Sequence, residues 1–402
     1  MELLTGQGPE MAARPVRLGL VAQFPIHYHL PLYRALAADP DIDVEVLFMQ
    51  QGWSASGYDP EVASVVEWGV DKFSGYPHRV FPNISPRRDG GGFWKFINPG
   101  LIWHVLTGRY DAIYIHGHNH FTHIACAFAA KLGFKRLILR TISNNLGDRA
   151  FRVRALRQAL YRPLYWLFDR FLYTGAAQHA YYRDFGVREA RLIHAPHIVD
   201  NAYFRAAADR LRPERRALKE KFGIAPDRKV LLTVAKIRPV KNPLMLIEAF
   251  AKAAPDDWTL LWAGSGEMEA DVRAAADACG ADVRFAGFLD QTEVPDAYAA
   301  ADLFALSSWT ETWGLVVNEA LNFDLPCVVT DGVGCADDLV TARTGLVVPA
   351  GDTDALADAL GKIMSDDTLR ATYAAAARET ITHWGVAEYV DGLKTSLGLD
   401  KT

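Results

Sequence analysis

Two carboxylates and two ammonium groups stand out by type and spacing. Glu311 and Glu319 have seven residues between them in SSWTETWGLVVNEAL (307–321), Gly314 among these. The segment predicts a turn at Gly314 that opens a helix. The unpaired N–H groups near Gly314, Leu315 and Val316 would then suit a phosphate. Glu319, two turns in, would project at a reach suited to a ribose diol. In AKIRPVKNP (235–243), Lys236 and Lys241 flank a tight loop containing Pro239, and two such cations suit a diphosphate. WAGSGEM (262–268) supplies Gly264 and Gly266, a Gly-x-Gly turn that lets a nucleotide approach the backbone. Each motif alone has a plainer reading: a capped helix with a solvated glutamate, solvated lysines, an ordinary loop. A fourth group, YIHGHNHFTH (114–123), concentrates His116, His118, His120 and His123. Their alternate spacing around a loop, without a carboxylate, argues against a metal site.

These groups need strands to position them. Apolar, β-branched runs recur at 17–24, 44–49, 111–116, 136–141, 170–175 and 191–196. They recur again at 229–235, 258–264, 282–288, 302–307, 326–330 and 345–349, each followed by an amphipathic stretch. Continuous apolar strands are buried on both faces, hence parallel and covered by helices on each side. The expected fold is α/β, two tandem doubly wound, Rossmann-like domains with a ligand crevice between them at the carboxyl ends of the strands. The polar stretch 200–228, with Pro213 and Pro226, reads as the linker. Residues 1–205 would form the first domain and 206–384 the second. A fresh helix after His383-Trp384-Gly385 would make 385–402 a separate final element. The lysines, the glycine turn and both glutamates all follow consecutive strands of the second domain.

The 402 residues suit two domains, and 50% hydrophobic with 23% charged residues is an ordinary globular balance. Disordered, collagen-like and coiled-coil classes are excluded for the whole chain. Four cysteines without a CxxC pair give neither a disulfide framework nor a thiolate zinc site, and they suit a reducing compartment. There is no apolar run of membrane-spanning length and no visible secretory signal; Met11 is an alternative start. A cytoplasmic protein is expected. Residues 1–205 carry 23 Lys+Arg against 17 Asp+Glu, while the remainder carries 20 against 31. The basic half suits an anionic surface, and dispersed charge without a motif argues against nucleic acid.

Taken in order, AKIRPVKN, LLWAGSGE, VRFAGFL, ADLFALSSWTETWGLVVNEALNFDLPCVVT and TGLVVP resemble the donor domain of the family 4 retaining glycosyltransferases of GT-B architecture. The resemblance is strong over 229–350 and weaker across the first domain. It implies a nucleotide-diphosphate sugar as co-substrate, with Lys236 and Lys241 on the diphosphate. It also implies Glu319 on the ribose, Glu311 on the hydroxyls of the transferred sugar, and retention of configuration. The Trp384 break resembles the kink where the final helix of these enzymes crosses back onto the first domain. His118 fits where relatives place a crevice histidine beside the sugar; a loop histidine satisfied by backbone is the plainer reading. Four departures stand out. Lys236 replaces a common arginine, the loop 22–36 lacks a glycine pair, Ser143-Asn144-Asn145 replaces a histidine, and Asp338 replaces a glutamate.

Lysines and helix N–H groups can stabilise the leaving diphosphate without a metal, so none is expected to be obligatory. The Asp-x-Asp at Asp41-Ile-Asp43 precedes a strand and reads as a loop. UDP is the favoured base, GDP the next. Residues 149–173 are arginine-rich among aromatic and aliphatic residues, with Asp169 the single acid. Together with GGGFWKFINPG (90–100) they suit an anionic membrane surface, or else core aromatics with snorkelling arginines. The acceptor is expected to be a saccharide or lipid-linked saccharide of cell-envelope or extracellular polysaccharide synthesis. A soluble acceptor, a GT-B sugar-nucleotide epimerase or phosphorylase, and an inert nucleotide-sugar binder are the alternatives.

Overall fold

In the computed structural model the described residues are 14–52, 58–59, 64–65, 71–143 and 151–399, with the side chains of 58–59, 64–65 and 151–155 left aside. The first half runs β1 (Val16–Ala22), α1 (Leu30–Ala38), β2 (Ile42–Phe48), the antiparallel pair β3 (Tyr58–Asp59) and β4 (Ser64–Val65), β5 (His78–Val80) and α2 (Pro99–Thr107). It continues with β6 (Ala112–His116), α3 (Phe121–Leu132), β7 (Arg136–Arg140), α4 (Phe151–Tyr165), β8 (Arg170–Tyr173), α5 (Ala176–Asp184) and β9 (Leu192–His194). After α6 (Asn201–Leu211) and α7 (Arg215–Lys221) come β10 (Lys229–Val234), α8 (Pro243–Ala253), β11 (Trp258–Ala263), α9 (Glu269–Cys279), β12 (Val283–Gly287) and α10 (Val294–Ala300). The chain proceeds through β13 (Leu303–Leu306), α11 (Leu315–Asn322), β14 (Cys327–Thr330), α12 (Ala336–Leu339) and β15 (Gly345–Val348). Helices α13 (Thr353–Ser365), α14 (Asp367–Ile381) and α15 (Val386–Leu397) follow.

Two parallel sheets result, ordered β5-β2-β1-β6-β7-β8-β9 and β12-β11-β10-β13-β14-β15. Strands such as β11, β13 and β14 are buried at every residue because helices cover both faces, as continuous apolar runs require. In each sheet the strand order reverses, between β1 and β6 and between β10 and β13. Such reversals open a crevice at the carboxyl ends.

Three local expectations change. The stretch 200–228 is not a linker: α6 and α7 place Phe204, Ala207, Leu211 and Leu218 in the core of the second domain. Their alanine-rich apolar stripe is narrow, and arginines cover the rest. The second domain therefore gathers residues from about Asn201 onward. Asp41-Ile-Asp43 lies at the amino end of β2 rather than in a loop, and Asp41 pairs with Lys394 of α15 at 2.5 Å. Strand β5 was not anticipated.

Helix α15 returns to the first domain, where Tyr389, Val390, Leu393 and Leu397 join the core beside α1. Tyr389 covers the buried guanidinium of Arg140, with the ring centre 4.5 Å away and its hydroxyl accepting from Nη1 at 2.8 Å. The Tyr389 and Tyr114 hydroxyls also bond each other.

Candidate active site

A cleft of about 1040 Å³ opens between the domains. Its floor comes from the second domain. After β10, the chain carries Lys236 into a loop that crosses the end of β11, with Ile237 N–H donating to Ser265 O at 2.9 Å. The loop turns at Asn242, held left-handed at φ 48°, and starts α8. Ser307 donates to the Lys241 carbonyl at 3.0 Å and so fixes that residue's backbone. Lys236, Arg238 and Lys241 all line the cleft, which concentrates three cations at the carboxyl end of one sheet.

The Gly-x-Gly turn is required for a different reason from the one its sequence suggested. A Cβ on Gly264 would stand 2.1 Å from the Ala235 carbonyl, and one on Gly266 would stand 2.3 Å from that of Ile237. Both glycines exist so that the two loops can pack backbone to backbone. Gly264 lines the cleft with Ser265, whereas Gly266 does not.

Gly314 begins α11 at φ 99°, a conformation that a side chain would strain. Gly314, Leu315 and Val316 line the cleft, so the amino end of the helix faces it. Across from it, Glu311 is held by a bridge to Val333, and its carboxylate bonds the Lys241 ammonium directly. Both side chains of that pair are about one-fifth exposed, shielded enough for the contact to be stronger than a surface ion pair.

Glu319 lies one turn deeper in α11, outside the cleft lining. Helical side chains tilt toward the amino end, which aims Glu319 back toward the cleft. Tyr298 donates to its Oε2 at 2.7 Å. Burial pushes the carboxyl up to about 7, although the Tyr298 hydrogen bond opposes this. The unfolded chain loses this proton near 4.5, whereas the folded chain keeps it to about 7, so this group removes stability as pH rises through that window. Glu319→Gln, which keeps the bond from Tyr298, is expected to raise the melting midpoint above pH 7 and to leave it unchanged below pH 4.5. The gain is limited to about 3 kcal/mol. Melting curves against pH check this, and a lower midpoint at pH 8 would refute the buried-acid assignment.

The first domain supplies the roof. His197 and Tyr28 line the cleft; His197 was not singled out from sequence, and Tyr28 stands in the loop 22–36 that departs from the family pattern. His197 is flanked by Trp313 at 5.9 Å and stacks toward His29 at 6.5 Å, while His29 lies 4.6 Å from His116 at the end of β6. Burial and the nearby Arg140 guanidinium hold all three imidazoles well below the usual histidine range. They are therefore neutral at physiological pH. His118, expected at the crevice, is not in its lining. The chain turns at Gly117 and buries the His118 ring edge-on against Tyr161 of α4 at 4.6 Å, where desolvation lowers it to about 3. β6 ends at His116, which stays beside His29, and the left-handed turn at Gly117 (φ 113°) sends His118 away from it.

Of the four imidazoles of 114–123, His116 meets His29, His118 meets Tyr161, and His120 bonds the Gly92 carbonyl at 3.0 Å while stacking on buried His123 at 5.5 Å. Among the described residues no group of three metal-ligating side chains forms. Asp338 accepts from Ala176 N–H of α5 at 3.0 Å and so spans the two domains. Asn144 and Asn145 lie outside the described residues. Exposed Trp309, Phe288 and Val240 line the rim. Their apolar faces come from loops with no repeating pattern, which is why sequence spacing did not mark them.

Two doubly wound domains facing each other across a cation-lined crevice, with a returning final helix, define the GT-B architecture. Residues 214–380 match the family described as Glycosyl transferases group 1. Over 194 residues the chain is 32% identical to a GDP-mannose-dependent monoacylated alpha-(1-6)-phosphatidylinositol monomannoside mannosyltransferase of Corynebacterium glutamicum, covering 46% of this chain and 50% of that one. Over 165 residues it is 29% identical to N-acetyl-alpha-D-glucosaminyl L-malate synthase of Bacillus anthracis, covering 41% and 43%. The chain thus spans about half the length of the curated relatives it matches. The Anabaena protein HepE, solved in complex with UDP, superposes with a TM-score of 0.70 at 19% identity over 95% of this chain and 99% of its own. WaaG, a glycosyltransferase involved in lipopolysaccharide biosynthesis, superposes at 0.63 with 17% identity over 96% and 100%. At these identities the two structures bear on the fold.

Proposed function

We propose that this chain is a retaining glycosyltransferase moving a hexose from a nucleotide-diphosphate sugar to a saccharide or lipid-linked saccharide in cell-envelope or extracellular glycoconjugate synthesis. The observation that carries this reading is the Lys241–Glu311 pair, set between Lys236 and the amino end of α11 in one cleft. Cations and helix N–H groups suit the diphosphate, and a carboxylate beside them suits the hydroxyls of the attached sugar. In transfer, the bond from the anomeric carbon to the phosphate oxygen breaks as the acceptor oxygen bonds that carbon from the same face. The acceptor proton goes to the departing phosphate. Lys236, Lys241 and α11 stabilise the charge on the leaving group, so no divalent metal is obligatory.

Glu319 takes the ribose in this reading, and donation by ribose hydroxyls favours its charged form. Neutral His197 and His116 stand on the acceptor side as hydrogen-bonding groups, while His118 acts only through the packing of α4. UDP is the first choice of base, consistent with the Anabaena complex; GDP is the alternative, consistent with the Corynebacterium relative. Melting midpoints with UDP, GDP, ADP and dTDP test the donor site. A hundredfold excess over the dissociation constant adds roughly 2.7 kcal/mol of stability. One nucleotide should shift the midpoint, and transfer from its sugar should persist in a chelator. No shift with any of the four, or loss of transfer on chelation, overturns the corresponding half of the reading.

A further inference from the structure

Helices α2, α3 and α4 lie side by side on one face of the first sheet. Their inner sides supply Leu101, Val105, Cys126, Ala127, Ala130 and Tyr165 to the core. Covering a sheet requires only that inner stripe to be apolar. Yet their outer sides carry Trp103, Phe128, Leu132, Leu156 and Leu160, all exposed. Two further residues continue the surface at the helix ends: Phe134 is 97% exposed just after α3, and Trp166 is 80% exposed just after α4. In the second domain, helices α7 through α14 cover an equivalent sheet, yet none of them exposes a large hydrophobic residue. The apolar outer face is therefore not a consequence of the architecture.

Charge narrows what this face can meet. The helical sequences PGLIWHVLT, FTHIACAFAAKL and FRVRALRQALYRPLY contain no acidic residue, whereas they contain one lysine and four arginines. The nearest acids are occupied or peripheral. Glu45 faces His104 of α2 at 3.4 Å and is paired with Arg79 at 3.1 Å, Asp169 pairs with Lys131 at 2.6 Å, and Asp184 lies beyond the α4 edge, where its carbonyl accepts from Arg162 at 3.2 Å. Phe134 adopts φ 54°, a left-handed conformation rarely taken by an aromatic residue, and it projects from the end of α3 into solvent. At the opposite end, Trp94 stacks on Phe121 at 5.2 Å beside the start of α3. That end is at the carboxyl side of the sheet, since α3 follows the end of β6. A second copy of the chain docked symmetrically here would set arginines against arginines.

We propose that the outer face of α2, α3 and α4 docks on an anionic lipid bilayer, with Leu132, Phe134 and Trp166 entering the headgroup region and exposed Arg162 of α4 meeting lipid phosphates. Bulky apolar groups interspersed with arginine suit an interfacial position, and no described helix is long and apolar enough to cross a membrane. The surface extends beyond 149–173 to include two further helices. It deepens the lipid-linked acceptor reading above. Vesicle binding is measured without donor, so its failure is distinguishable from failure of the transferase assignment.

The test is co-sedimentation of the full chain with vesicles of phosphatidylcholine alone and with added phosphatidylglycerol. Binding is expected only with phosphatidylglycerol present, and it should weaken with salt. Phe134→Glu and Trp166→Glu should each reduce it by about tenfold or more, and Arg162→Glu by on the order of tenfold. Val347→Glu, a change at an exposed position of the second domain, should leave it unaltered. Unchanged melting midpoints in these surface variants would show that they fold. No sedimentation of the wild type, equal binding to both vesicles, or full binding by Phe134→Glu and Trp166→Glu would overturn the proposal. A wild-type dimer in ultracentrifugation that Phe134→Glu dissociates would also overturn it, in favour of a second copy.

Discussion

Glu311→Ala is expected to slow sugar transfer by about a hundredfold while binding the nucleoside diphosphate more tightly. The two effects have separate causes. The Glu311 carboxylate is bonded to Lys241. A diphosphate must draw on that ammonium while standing close to a like charge. Removing the carboxylate leaves Lys241 to the phosphate oxygens, and affinity should rise about three- to tenfold for this half-shielded pair. The sugar, however, loses the acceptor for its hydroxyls as its ring gains positive charge. That loss falls on the transition state and lowers turnover. Initial rates with titration of the nucleoside diphosphate check both arms. Unchanged turnover, or weaker diphosphate binding, would contradict the arrangement.

Lys241→Ala is expected to weaken the nucleoside diphosphate by about a hundredfold and to reduce its effect on the melting midpoint accordingly. The substitution removes a phosphate partner and leaves the Glu311 carboxylate unneutralised beside the ligand. Its effect should therefore exceed that of Lys236→Ala, which removes only a cation. In the double variant Lys241→Ala with Glu311→Ala, part of the affinity should return, because the repelling charge is gone. Additive losses in this cycle would mean that the two side chains act independently. Titration of all four proteins decides between these outcomes.

All twelve strands anticipated from apolar runs are present, because parallel strands covered on both faces must be apolar at nearly every position. β5 escaped because all three of its residues, His78–Val80, are exposed at a sheet edge, and nothing in their sequence distinguishes them from a loop. The residues 200–228 misled for the opposite reason. Alanine buries well at the helix contacts of α6, yet it reads as neutral beside many arginines. In the site, Lys236, Lys241, Gly264, Glu311 and Gly314 were legible because strand ends bring them into one cleft. His118 was not, because the left-handed turn at Gly117, just past the end of β6, carries its imidazole under Tyr161 of α4 instead of into the crevice. Tyr28 and His197 lie on loops of a different domain, and only the closure of the two domains makes them neighbours of Glu311.

The return of α15 to the first domain affects the order in which the protein can be made. The amino-terminal sheet leaves the ribosome first, but it lacks the helix that covers Leu18, Leu20 and Tyr114 until the entire second domain has been translated. Arg140 waits for the same helix, since Tyr389 is both its stacking surface and a hydrogen-bond partner. A nascent first domain would thus expose an apolar groove around an unsatisfied cation. The second domain, whose sheet is complete from β10 to β15, has no such debt and can close on its own. The carboxyl-terminal half is therefore the natural early folding unit, and the older half of the nascent chain is the one that needs chaperone cover.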